Sequence, residues 1–156
     1  MIEIEIYGRG RLELDHLVLD MNGTLTLDGA LLEGVAERLG ALASQVTPVI
    51  VTADTYGTGS RIAKELGIGI ERVERGMEGE QKLELVKRLD AARCVAIGNG
   101  ANDAAMLEAA AIGICVLGPE GAASQALAAA DIVAPDITGA LDLLAHPIRL
   151  VATLRH

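Results

Sequence analysis

The chain has no phenylalanine and no tryptophan, and its aromatic residues are Tyr7 and Tyr56. A stacking platform for nucleic-acid bases is therefore not expected, and the core must be built from Leu, Ile, Val and Ala. Cysteine is scarce. Cys94 and Cys115 each sit inside an apolar run, and no Cys or His lies at metal-site spacing from them. They read as buried small hydrophobes of a reducing compartment. Positive charge is also short. Thirteen basic side chains face 22 acidic ones, for a net charge of −9. That balance argues against nucleic-acid and anionic-membrane partners, which want a basic face. No apolar run approaches the roughly 18 residues of a membrane span. The opening Met1-Ile2-Glu3-Ile4-Glu5-Ile6 sets acids between apolar residues, unlike a signal or transit peptide. A cytoplasmic location is the expectation.

What is present is a large apolar fraction, 51% over 156 residues, enough for one domain over 1–156 with a real core. Ile2–Ile6 and Arg11–Leu14 alternate across Tyr7-Gly8-Arg9-Gly10, the pattern of a hairpin over 1–14. Short continuous apolar runs follow at Leu17–Leu19, Val49–Val51, Cys94–Ile97 and Ile114–Leu117, as in strands buried on both faces. Weaker strands are expected at Glu71–Glu74 and Ile132-Val133. Between them lie helical patterns at 31–42, 59–66 (ended by Gly67), 80–89, 102–110, 122–129 and 139–144. In the helix at 80–89, Leu83, Val86 and Leu89 are expected to face inward. Alternating strands and helices predict an α/β fold with a mainly parallel sheet and helices on both faces.

In such a sheet, ligands bind beyond the carboxyl ends of the strands. Three strand-end loops carry small or oxygen-bearing residues: Asp20-Met21-Asn22-Gly23-Thr24, Thr52-Ala53-Asp54 and Gly98-Asn99-Gly100-Ala101-Asn102-Asp103. None contains His, so a Ser-His or Cys-His hydrolase is not indicated. Acids beside an amide suit Mg²⁺, and a strand-end carboxylate can attack phosphorus. Lys82 is positioned to add positive charge, with Lys64 and Lys87 as rivals. Each feature also has a plainer reading. Asn22-Gly23 is a hairpin turn signal, Asn102 suits a helix N-cap, Asp54 suits a cap, Asp28-Gly29 suits a turn, and His16, His146 and His156 stand apart.

Together these segments are recognisable. Asp20-Met21-Asn22-Gly23-Thr24-Leu25-Thr26 resembles the first motif of the haloacid dehalogenase (HAD) superfamily, in its P-type ATPase form. Val51-Thr52-Ala53-Asp54 resembles the second motif, Lys82 fits the third, and Gly98–Asp103 resembles the fourth. The likeness spans roughly 15–145, in the right order. It implies a HAD-like Rossmannoid core and a soluble, stand-alone relative of the P-type ATPase phosphorylation domain. It further implies that Asp20 is the phosphoryl-accepting nucleophile, that Thr52, Ala53 and Lys82 bind phosphate, and that Asp20, the Asn22 carbonyl, Asn99 and Asp103 hold Mg²⁺. Asn22 departs from the acid that family phosphatases usually carry there, and Asn99 departs from the usual metal-binding Asp.

The spacings from Asn22 to Thr52 and from Thr52 to Lys82 leave no room for a cap domain. The expectation is a Mg²⁺-dependent phosphohydrolase or phosphotransferase with slow turnover. It would act on a phosphorylated small molecule or phosphoprotein. The alternative is a catalytically degenerate relative that binds phosphate or a phosphorylated partner in a regulatory role. Nucleotide binding at a Rossmann-like loop ranks last. A homo-oligomer is possible, with the hairpin at 2–14 as a candidate contact, although a plain edge hairpin is preferred.

Overall fold

The structure, a computed structural model, describes residues 1–54 and 57–156; Tyr56 lies outside the described residues. The elements in chain order are β1 (Ile2–Ile6), β2 (Gly10–Leu14), β3 (His16–Asp20), β4 (Thr26–Leu27), β5 (Ala30–Leu31), α1 (Val35–Leu42), β6 (Thr47–Thr52), α2 (Thr58–Leu66), β7 (Gly69–Arg72), α3 (Glu78–Arg88), β8 (Cys94–Gly98), α4 (Ala104–Ala109), β9 (Ile112–Val116), α5 (Ser124–Ala129), β10 (Ile132–Ala134), α6 (Ile137–Ala145) and α7 (Pro147–Leu154).

Six strands form one sheet in the order β10-β9-β8-β3-β6-β7, and every neighbouring pair is parallel. The α/β architecture with helices on both faces is as expected. The reason the central strands read as unbroken apolar runs is visible in their side-chain directions. Leu17, Leu19, Val95 and Ile97 enter the core shared with α1, α2, α6 and α7, whereas Val18, Cys94 and Ala96 enter the core under α3, α4 and α5. Both faces are dry, so alternation cannot show as polarity. Both cysteines lie in the second core as free thiols. Burial pushes the Cys94 thiol up to about 11 and also raises that of Cys115, which keeps them protonated and unreactive.

Several boundaries shift. The helix expected from Leu31 begins at Val35, because Thr26–Leu31 forms a small antiparallel hairpin first. Its turn is Asp28-Gly29, both with positive φ (51° and 80°), the two-residue geometry favoured in hairpins. Asn22-Gly23, by contrast, does not turn a hairpin. The strand expected at Glu71–Glu74 lies at Gly69–Arg72. In α3 the inward residues are Lys82, Leu85 and Val86, while Leu83 is only half-buried. A lysine occupies the inward stripe, which rotates the apparent apolar face. Helix α7, with Pro147 in its first turn, was not foreseen.

The N-terminal hairpin is not an edge of the main sheet. It is a separate two-stranded sheet, with Ile2, Ile4, Ile6 and Leu14 buried in the core that holds Leu150 and Leu154 of α7. Its acids face outward. No helix among the described residues is long and apolar enough by itself to cross a membrane.

Candidate active site

Strands β3, β6 and β8 lie side by side and parallel. The loops after them therefore converge on one end of the sheet, where a cavity of about 440 Å³ opens. Asp20, Asn22, Thr52, Ala53, Lys82 and Asn99 all line it.

Asp20 is the last residue of β3. One carboxylate oxygen accepts from Lys82 Nζ at 2.8 Å, the other from the Thr24 hydroxyl at 3.0 Å. The loop that follows folds tightly around the Met21 carbonyl, which accepts from the backbone N–H groups of Thr24, Leu25 and Thr26. Gly23, at φ 77°, turns this loop. A side chain there would also strike the Glu120 carboxylate and approach Asn99 Nδ2 to 2.8 Å. The positive φ is what calls for glycine; the Glu120 carboxylate, the exposed end of a flexible side chain, could move aside.

Lys82 reaches in from α3 and is 2% exposed, which separates it from Lys64 and Lys87, both on the surface. Its ammonium bridges Asp20 and Asp103, the latter at 2.7 Å. Burial opposes its charge, but the two carboxylates outweigh that and raise its pKa. For Asp20 the balance goes the other way. Burial, reinforced by Asp103, pushes its carboxyl up to about 6 against the pull of Lys82 and Thr24.

The structure does not bring Asp103 to the cavity as a metal ligand. Asp103 is fully buried and is absent from the lining. One of its oxygens holds Lys82, and the other accepts from the backbone N–H groups of Asn99 (3.0 Å) and Gly100 (2.8 Å). Its place is behind Lys82, as an anchor. Gly98 makes this possible, because a Cβ there would lie 2.5 Å from the Asp103 carboxyl carbon.

Asn99 donates from Nδ2 to the Gly121 carbonyl at 3.0 Å, which aims its oxygen at Thr24 Oγ1, 3.2 Å away. Thr52 closes β6 with its hydroxyl accepting from the Asp54 N–H at 3.1 Å, and the Asp54 carboxylate accepts from Gly59 N–H at 2.8 Å at the start of α2. The capping role foreseen for Asp54 is present, alongside its place in the cavity wall.

Three further wall residues were not singled out: Arg75, Glu78 and Glu120. Asn102, read as a helix N-cap, also lines the wall, and the cap position of the short helical turn there is Gly100. Glu120 had a usable signal. It follows β9, whose carboxyl end points the same way as those of β3, β6 and β8. The segments 23–51 and 53–81 hold, among the described residues, a small hairpin, helices α1 and α2, strands β6 and β7 and the start of α3, with no cap domain.

Residues 15–111 match the model of the haloacid dehalogenase-like hydrolases. An uncharacterized protein, MJ0073, of Methanocaldococcus jannaschii is 43% identical over 90 residues, covering 55% of this chain and 97% of its own length. A probable copper-transporting ATPase, HMA5, of Arabidopsis thaliana is 35% identical over 133 residues. That match takes in 80% of this chain but only 13% of the transporter. Among solved structures, the 3-deoxy-D-manno-octulosonate 8-phosphate phosphatase of Moraxella catarrhalis, in complex with magnesium ion, phosphate ion and KDO, superposes with a TM-score of 0.64 at 23% identity, over 91% of this chain and 87% of that one. With its parallel sheet, its strand-end acid and a family match across most of that sheet, the chain belongs to the haloacid dehalogenase-like hydrolases.

Proposed function

We propose that the chain is a Mg²⁺-dependent phosphohydrolase or phosphotransferase working through an aspartyl phosphate on Asp20. The observation that carries the reading is the Asp20–Lys82 contact at 2.8 Å on the floor of an open, oxygen-lined cavity.

The donor chemistry fits Mg²⁺. Asp20, the Asn22 carbonyl and Asn99 offer hard oxygens, and among the described residues no Cys or His lines the cavity. These three residues would hold the ion, which when bound would supply positive charge against the phosphoryl oxygens. An Asp20 oxygen attacks phosphorus, the bond from phosphorus to the leaving oxygen breaks, and the leaving group departs with that electron pair. Lys82 holds nucleophile and phosphoryl group together, and Thr52 with the backbone N–H of Ala53 binds the phosphoryl oxygens. Water then attacks the aspartyl phosphate, releasing inorganic phosphate and regenerating the carboxylate.

Asn22 cannot trade a proton in either step. Loss of a general acid-base typically costs about 10²–10⁴ in rate. The substrate is then one whose leaving group departs readily as an anion: the phenolate of an aryl phosphate, the carboxylate of an acyl phosphate or the phosphate of a phosphoanhydride. The cavity has no cap over it among the described residues, so both a phosphorylated small molecule and a phosphoprotein fit the reading.

Asn22 and Asn99 also favour a second reading, a degenerate relative that binds phosphate or a phosphorylated partner without turnover. Hydrolysis of an aryl phosphate, with and without Mg²⁺ and beside Asp20→Asn, separates the two. Mg²⁺-dependent release that the variant lacks supports the enzyme. No release and no pre-steady-state burst, but a melting shift with Mg²⁺ and beryllium fluoride that Asp20→Ala abolishes, supports the binder.

A further inference from the structure

The cavity wall contains more carboxylates than the proposed chemistry uses. Asp54 is engaged at the start of α2. Glu78 accepts from the Gly76 N–H at 2.7 Å. Asp103, close by, is sealed behind Lys82 and does not reach the wall. Glu120 differs from all three. It is exposed, lies in the loop between β9 and α5, and among the described residues no donor bonds to its carboxylate. One of its oxygens lies against Gly23, in the space that a side chain at 23 would fill, beside the Asn99 amide.

That location matters because of what Asn99 lacks. The end of β8 presents a neutral amide, whose nitrogen is tied to the Gly121 carbonyl, one residue beyond Glu120. The same hydrogen bond thus orients the Asn99 oxygen and pins the loop that carries Glu120. The geometry points to Glu120 as the second anionic ligand of the metal. In this chain the negative charge has moved from the end of β8 to the loop after β9. Resting on the metal reading above, this gives the ion two carboxylates (Asp20 and Glu120), two neutral oxygens (the Asn22 carbonyl and the Asn99 amide) and room for waters, a composition suited to an octahedral hard cation. The substitution at 99 is then a relocation of charge and not a loss of it. A carboxylate at 99 in addition would crowd a third negative charge against Glu120 and Asp20.

The test is Mg²⁺ binding, read by isothermal titration calorimetry on the full chain without substrate. Glu120→Gln keeps size and polarity and removes the charge. Even outer-sphere partners of metal ligands typically cost 10–100-fold in affinity, so Glu120→Gln is expected to weaken Mg²⁺ binding by at least about tenfold. Glu78→Gln, which removes from the same cavity wall a charge on α3 already engaged by the Gly76 N–H, is expected to stay within about twofold. Asn99→Asp placed on top of Glu120→Gln is expected to restore most of the lost affinity.

Binding by Glu120→Gln within about twofold of the parent overturns the assignment while leaving the metal reading intact. So does equal weakening by Glu78→Gln, which would mean a general field effect. A parent chain that binds no Mg²⁺ at millimolar concentration overturns both readings. Because position 120 is exposed, unchanged melting of metal-free Glu120→Gln confirms that the comparison is between folded proteins.

Discussion

On the inner wall of the cavity, Lys82 is sealed from solvent with a carboxylate within 2.8 Å on either side. On the outer wall, Asn22 and Glu120 are exposed, and among the described residues Asn22's amide oxygen has only a long 3.5 Å hydrogen bond from Thr26 Oγ1. The inner wall is costly to build. Charges were taken out of water and are held only because each has an opposite neighbour and further hydrogen bonds. The outer wall costs little and can change without disturbing the fold. On the proposed mechanism, the inner wall would position the nucleophile and the positive charge beside it, while the outer wall would govern protons and metal affinity. The two could therefore vary separately: the outer wall carries the neutral Asn22, while the buried Asp20–Lys82–Asp103 triad is complete.

The sharpest way to break this contrast is at Asp20. Asp20→Asn is expected to reduce Mg²⁺-dependent aryl phosphate turnover by at least about 10³-fold, the scale on which removal of a nucleophile acts. A variant retaining substantial turnover would remove Asp20 from the chemistry. Next in size is Lys82→Met, which leaves two buried carboxylates facing each other without a cation. Breaking a buried pair in this way costs about 3–5 kcal/mol, to be read from urea unfolding. Asp103→Asn added to Lys82→Met should recover much of that loss, since one of the stranded charges disappears. If Lys82→Met is as stable as the parent, the inner wall is not the buried charge system described here.

On the outer wall, Asn22→Asp is expected to speed breakdown of the aspartyl phosphate by about 10²-fold, at the lower end of general acid-base effects. Single-turnover quenching would show a phosphoenzyme that decays faster than in the parent. Its stability should be almost unchanged, and a large loss would contradict the division between the walls.

A further effect concerns pH. The Asp20 carboxyl is raised from 3.8 to about 6 by burial and Asp103. The folded state therefore holds its proton more tightly than the unfolded chain does. This stabilising contribution is complete below about pH 4 and is lost as pH rises through about 6. In the metal-free protein, the melting temperature of Asp20→Asn relative to the parent should rise across that window and level off above it. A difference that stays flat between pH 4 and 8 would show that Asp20 is not strained by its surroundings.

Much of this arrangement was legible in the sequence, because the central strands are short apolar runs and the reactive loops directly follow them. Val49-Ile50-Val51 and Cys94–Ile97 fall within strands of the observed sheet, and Gly67 ends α2 with φ 66°. What was not legible had physical reasons. Lys82 interrupts the inward stripe of α3, so periodicity pointed to Leu83 in place of Leu85. The hairpin at Thr26–Leu31 has strands of two residues each, too short for any alternation to register. Asp103 could be brought near the site by motif order, but its burial behind Lys82 depends on the absence of a side chain at Gly98, a contact between residues five positions apart. Glu120 was passed over because its loop lacks the small-residue pattern of the other three. Its relevance comes from the parallel direction of β9 and not from any feature of Leu117-Gly118-Pro119-Glu120-Gly121 itself.

The lysine bridge also bears on how the chain reaches its native state. Asp20 and Lys82 are 62 positions apart, and Asp103 lies 21 further on, so the three meet only after several crossover units have docked around β3. Contacts this distant in sequence form late and slow the search for the native topology. The unpaired ammonium has no favourable buried position until both carboxylates arrive. Closure of this bridge therefore requires β3, α3 and the loop after β8 to have docked together, and a chain that lacks this docking has no finished floor to the cavity.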